Sequence, residues 1–149
     1  RFDSRIYQEF HGINGGQYSR LFASRVTYGD NSTDLQWGPW EWVNPLMDLN
    51  TEYRTTERYM GKPVYCKMVD CGTVPAVGSS KTIMVAPDAE IFSVSAYSPM
   101  RGLGIPFRDA NGVKLEINQS GNTLVFRNYS ETRSDTNALA VVKYTKTTA

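Results

Sequence analysis

The stretch VKLEINQSGNTLVFRN, Val113 to Asn128, settles the fold class. Its first five residues alternate, with Val113, Leu115 and Ile117 on one side and Lys114 and Glu116 on the other. That is the period-two pattern of a half-buried strand. NQSGN, 118–122, collects turn-forming residues, and TLVFRN brings the chain back as the second strand of a hairpin. IFSVSAY, Ile91 to Tyr97, alternates in the same way, with Phe92, Val94 and Ala96 set against serines. ALAVVKYT, Ala138 to Thr145, is apolar on both sides. Both of its faces need cover, from a second sheet or from a neighbouring subunit. Helical patterning fails throughout, because Gly, Pro or Asn interrupts every candidate window of a dozen residues or so. The chain is therefore predicted to be all-β. VYCKMVD at Val64 opens an antiparallel β-sandwich, jelly-roll-like, that occupies residues 64–149.

Upstream, RIYQEFH and YSRLFASRVTY are aromatic and β-branched runs separated by GINGGQ, and WGPWEWV follows the polar segment GDNSTD. These predict a small antiparallel module of about three strands over residues 1–47. WGPWEWVNP, Trp37 to Pro45, holds all three tryptophans of the chain. Indoles stack well on sugar rings, but tryptophans are mostly buried on average. Trp37 and Trp40 are expected to fill the small module's core, and Trp42 to pack on the next segment or the next subunit. That next segment, DLNTEYRTTERYMG, is charged, Thr-rich and poor in aliphatics. It reads as an extended connector over residues 48–63.

Composition narrows the chemistry. A chain of 149 residues is one ordinary domain or two small ones. With 16 basic and 15 acidic residues the net charge is +1, which recruits neither nucleic acid nor anionic lipid. No apolar run approaches the length of a membrane span, so membrane insertion is not expected and the chain reads as a soluble fragment or processed product starting at Arg1. Cys66 and Cys71 are five residues apart in a strand-like run. Five extended residues span roughly 16 Å, whereas a disulfide needs Cα atoms within about 7 Å. Free thiols and synthesis in a reducing compartment are the expectation. CxxxxC is not a metal-ligand spacing, and the single histidine, His11, lies far from both cysteines in sequence. No catalytic residue, metal site or cofactor is assigned. The Gly-rich pieces at Gly15 and at Gly102 to Gly104 have no following helix and read as turns.

Three pieces together resemble the distal, C-terminal part of a tailed-bacteriophage tail fibre or receptor-binding protein. QEFHGINGGQYSRLFASRVTYGDNSTDLQWGPWEWV resembles the knob module of pyocin and phage fibres, with Tyr18, Arg20, Trp37 and Trp40 in its outline. NPLMDLNTEYRTTERYMGKPVYCKMVDCGTVP, with its run YRTTER, GKPVY and K-x-V-D-x-G, resembles the junction before siphophage fibre-tip domains. VVKYTKTTA is similar to the closing strand of those tip domains. Cys66 and Cys71 depart from the pattern, which expects apolar or aromatic residues there, and Pro75 to Arg108 is divergent. The resemblance implies a homotrimer, parallel about a fibre axis, carried on the virion at the tail tip and made in the bacterial cytoplasm. Its partner would be a saccharide, or a protein, of the bacterial cell surface.

The expected function is non-enzymatic adhesion. The family supplies no fixed binding residues, so candidates come from residue type and expected loop position: Tyr97, Arg101, Phe107, Arg108, Asp109, Asn128, Tyr129 and Arg133. Arg and Asn offer planar donors to sugar hydroxyls, and Tyr offers a stacking face. Two other readings fit the same residues. One is a structural fibre segment without receptor contact; the other is a carbohydrate-binding module of a polysaccharide-degrading enzyme.

Overall fold

A computed structural model describes residues 7–13, 19–28, 36–100, 102–132 and 137–147. Arg101 and Arg133, two of the candidate contact residues, lie outside them. Within the described residues every regular element is a strand. The first four are β1 (Tyr7–Ile13), β2 (Ser19–Tyr28), β3 (Gln36–Trp37) and β4 (Glu41–Trp42). There follow β5 (Glu52–Tyr59), β6 (Lys62–Thr73), β7 (Ser80–Met84), β8 (Ala89–Ser98) and β9 (Leu103–Ile105). The last four are β10 (Phe107–Asp109), β11 (Gly112–Ser120), β12 (Thr123–Asn128) and β13 (Asn137–Lys146). They form two sheets. The larger runs β1-β2-β4-β5-β6-β13-β8-β9, with β3 paired to β2; the smaller runs β10-β11-β12-β7. The all-β expectation holds, and the two layers pack as a sandwich.

The alternating stretch from Val113 forms the hairpin β11–β12, with Ile117 opposite Phe126 and Ser120 opposite Thr123. Its turn is tighter than the five residues NQSGN suggest. Strand pairing continues to Ser120, and only Gly121 and Asn122 turn, with Gly121 at φ 60°. A first turn residue with positive φ is what a two-residue hairpin asks of glycine. Leu115, Ile117, Leu124 and Phe126 alternate inward from this hairpin. They meet Val69 and Cys71 of β6, Ile91 and Ala96 of β8, and Ala138, Ala140, Val142 and Tyr144 of β13.

β13 lies between β6 and β8 and pairs antiparallel with both. This explains its two apolar sides. Ala138, Ala140, Val142 and Tyr144 are fully buried against the small sheet, whereas Leu139 and Val141 on the opposite side are only half-buried. Further along that outer side a second, smaller core forms. Tyr53, opposite Cys66 in the ladder, is buried with Val64 and Thr55. Met47 closes over it, its Sδ 3.7 Å from Cys66 Sγ. Both cysteines are buried free thiols.

The segment expected to be a connector is β5, an integral strand. It pairs antiparallel with β6 and, at Trp42 opposite Thr55, parallel with β4, so the N-terminal strands and the sandwich share one sheet. EYRTTERY lacks aliphatics, but Tyr and Thr suit a pleated surface, and burying Tyr53 and Thr55 on one side suffices to seat it. Glu41 fastens the junction by accepting from Arg54 Nε and from Arg58 Nη2, each at 2.8 Å.

The tryptophans depart from expectation. Trp37 and Trp40 are 42% and 39% exposed and belong to neither core. Trp37 pairs with Thr27 at the sheet margin, and Gly38 and Pro39 carry the chain away before a second layer can cover the rings. Trp42 does pack on the following segment. It meets Tyr53 edge-on, with ring centroids 5.2 Å apart at 85°.

Candidate functional site

The outer face of the small sheet gathers a dense set of exposed, mutually oriented polar side chains, several of them residues that the sequence predicts to touch a ligand. Because β11 and β12 alternate, burying Leu115, Ile117, Leu124 and Phe126 forces Lys114, Glu116, Val125 and Arg127 outward. Glu116 stands directly opposite Arg127 in the ladder. The pairing runs one residue past β12, since Tyr129 N–H donates to Lys114 O at 2.9 Å. That places the Tyr129 ring on the same side as Glu116, and its hydroxyl donates to Glu116 Oε2 at 2.8 Å. The ring is nevertheless 47% exposed, so a fixed aromatic surface is presented to solvent.

Two charged residues of β10 and its turn extend the patch. Asp109 Oδ1 accepts from Asn111 N–H at 2.8 Å, closing the turn into β11, and Asp109 Oδ2 pairs with Lys114 Nζ at 3.1 Å. The turn N–H, joined by the lysine, holds the Asp109 carboxyl below its ordinary value. Glu116 is also held below its ordinary range. Hydrogen bonds from Asn118 and Tyr129 do most of this, and the positive charges of Arg127 and Arg108 add to it. Both carboxylates are thus fixed as acceptors at neutral pH, beside the donors of Arg108, Arg127 and Lys114.

Against one flank of this patch lies a cleft of about 280 Å³ between Gly78, Ser79 and Ser80 on one wall and Arg127, Asn128 and Tyr129 on the other. Its first wall is a turn from Ala76 to Ser79, closed by Ser79 N–H to Ala76 O at 2.9 Å, with Gly78 at φ 76°. A positive φ at the third position of such a turn favours glycine. Asn128 holds this wall in place. Its backbone exchanges hydrogen bonds with Gly78 N–H and Ser79 O. Its side-chain Nδ2 donates to Pro75 O at 2.7 Å and Glu131 O at 2.8 Å, and Oδ1 accepts from Glu131 N–H at 2.7 Å.

Of the residues predicted to touch a ligand, Arg108, Asp109 and Tyr129 come together here. Asn128 adjoins the cleft, but its side chain is 2% exposed and committed to backbone partners, so it positions the walls rather than meeting a ligand. Phe107 turns inward and packs on the main core. Tyr97 is on β8 of the large sheet, opposite Leu139, on the side away from the core. Reading loops first passed over Glu116, Arg127 and Lys114. The signal for them was the same alternation that fixed the core, since VKLEI sends Lys114 and Glu116 outward and TLVFRN sends Arg127 beside them. Among the described residues no three His, Cys, Asp or Glu side chains gather as a metal site would need, and no helix is long and apolar enough to cross a membrane.

Compared with protein-family models, with curated proteins and with solved structures, the chain matches none.

Proposed function

We propose that the chain is a non-enzymatic adhesion module that binds a saccharide of the bacterial cell surface through the outer face of the small sheet. The observation that carries this reading is the exposed Tyr129 ring, tethered by Glu116 at the mouth of a cleft that Arg127 also lines, with the charge of Arg108 acting on Glu116 and Asp109 paired to Lys114 of the same face. A sugar ring asks for an aromatic face and, around it, donors and acceptors already in place; this patch offers all three. Glycoside cleavage by paired carboxylates would instead want one acid held protonated by a raised pKa. Asp109 and Glu116 are both shifted the other way.

The sequence resemblance extends the proposal to a tail-fibre tip of a tailed bacteriophage, carried on the virion as a homotrimer. Favouring association is the outer side of the large sheet, where Leu49, bridged to Met68, is 48% exposed and Leu139 and Val141 are half-buried. Threefold repetition would multiply weak sugar binding through effective concentration. Light scattering tests the assembly, and a glycan array tests the ligand class. Trimers whose array binding is lost on Tyr129→Ala support the reading. A monomer with the same binding would favour a carbohydrate-binding module of a polysaccharide-degrading enzyme. A trimer that binds no glycan would favour a structural fibre segment.

A further inference from the structure

We propose that Trp37, Arg25 and Trp40 form a second saccharide-binding platform, independent of the Tyr129 cleft. The ladders place its components. Arg25 is opposite Gln8, Thr27 opposite Trp37, and Ala23 opposite Trp42. Arg25 and Gln8 are directly opposite and cross-strand partners share a side, so their side chains lie on one face, where Arg25 meets the Trp37 ring. The Arg25 guanidinium carbon is 4.5 Å from the Trp37 ring centroid and 4.7 Å from that of Trp40. Its Nε–H donates to Gln8 Oε1 at 2.7 Å, which orients it. One cation thus braces two indoles by cation–π attraction, while both rings stay open to solvent.

The shape of this array selects its ligand. Only Gly38 and Pro39 separate the two tryptophans in sequence, and the long side chain that lies against both rings is that of Arg25. The guanidinium covers part of both rings, and the exposed remainder of each indole is what a ligand can meet. The two indoles expose together on the order of 200 Å². A stable protein interface takes about 800 Å² from each partner. A pyranose ring, apolar on its C–H face and hydroxylated at its rim, matches the exposed indole area and the polar border of Gln8 and Arg25. Braced rings also lose little conformational entropy on binding.

All three tryptophans of the chain lie between residues 37 and 42, so their emission reports on this face and not on the Tyr129 cleft. The whole chain is titrated with soluble neutral, amino and uronic-acid pyranose oligosaccharides. A saturable quench or blue shift is expected with at least one of them. Trp40→Ala should weaken it about tenfold, Trp40→Phe less, and the exposed-site control Met100→Ala not at all, each variant being checked for an unchanged melt. No saturable change with any oligosaccharide overturns the proposal, as does a change of undiminished affinity in folded Trp40→Ala. Indoles that acrylamide cannot quench in the free protein are covered by another subunit, which also overturns it. The two sites fail separately. A silent emission titration beside array binding that Tyr129→Ala abolishes sinks the platform alone, and a saturable emission change beside array binding indifferent to Tyr129→Ala sinks the cleft alone.

Discussion

Tyr129 and Glu116 are joined across the β12–β11 hairpin by a 2.8 Å hydrogen bond, so an exposed ring is held at a fixed angle by an ionised acceptor. The first prediction follows from this contact. Tyr129→Phe keeps the ring and loses the tether, and should weaken glycan binding by about two- to five-fold. Tyr129→Ala should abolish the binding at this cleft while leaving any tryptophan emission change intact, with the thermal midpoint nearly unchanged in both. Because the Glu116 pKa is lowered in the folded chain, the carboxylate form and its tether persist above the ordinary value of 4.5 and are lost only as pH falls through the lower folded value. Binding measured by titration calorimetry should therefore be flat from neutral pH down to that ordinary value and decline only below it.

Asn128 should behave as a stability residue. Asn128→Ala leaves the carbonyls of Pro75 and Glu131 and the Glu131 N–H without their side-chain partner. A loss of roughly 2–3 kcal/mol in urea unfolding is expected. Asn128→Asp places a carboxylate where two carbonyls need a donor and should be no better tolerated. A variant as stable as the parent would remove Asn128 from this role.

Alkali should unfold the protein early. Burial pushes the Cys71 thiol up to about 11, and raises Cys66 and the Tyr144 phenol, the latter also opposed by Glu52. A raised folded pKa means the folded chain keeps protons that the unfolded chain releases. Stability is then complete below the unfolded values and falls as pH rises through the folded ones. For Cys71 alone the loss between its ordinary 9.0 and about 11 approaches roughly 2–3 kcal/mol. Urea midpoints should drop steadily above pH 9, and a disulfide reagent should label neither cysteine at neutral pH until denaturant is added.

Met60 occupies a position it does not suit. With Gly61 it forms the two-residue turn between Tyr59 and Lys62, and both residues have positive φ, 50° and 79°. The Met60 side chain is 87% exposed, so the strain is offset by no packing. Met60→Asn should stabilise the fold by roughly 0.5–1 kcal/mol, read as a higher thermal midpoint. A lower midpoint would show that the methionine contributes something its exposure hides.

Local alternation made the sandwich legible in the sequence. VKLEI and TLVFRN fixed which residues face the core, and by the same token which face outward. Features set by the order of strands across the sheet were not legible. EYRTTERY carries no run of aliphatics, and only its place between β4 and β6 makes it a strand of the main sheet. Asn128 has the same residue type as a surface sugar contact. Nothing local reveals that Pro75, more than fifty positions earlier, takes its amide hydrogen. Residue identity suggested burial for Trp37 and Trp40, but burial depends on a covering layer, which a sequence window does not contain.

The placement of β13 has a consequence for the order in which the protein can be made. The last described strand to leave the ribosome is the one that fills the gap between β6 and β8. Until residues 137–146 emerge, those two strands each present an open edge, and half of the apolar wall facing Phe126 is missing. Folding of the sandwich must wait for contacts some seventy positions apart in the β6–β13 ladder, which favours slow closure over stepwise assembly. A chain cut short before Asn137 would be a sticky one. Its two unpaired edges invite either pairing with another unfinished copy or removal by the cell's proteases, so translation itself acts as a check on completeness.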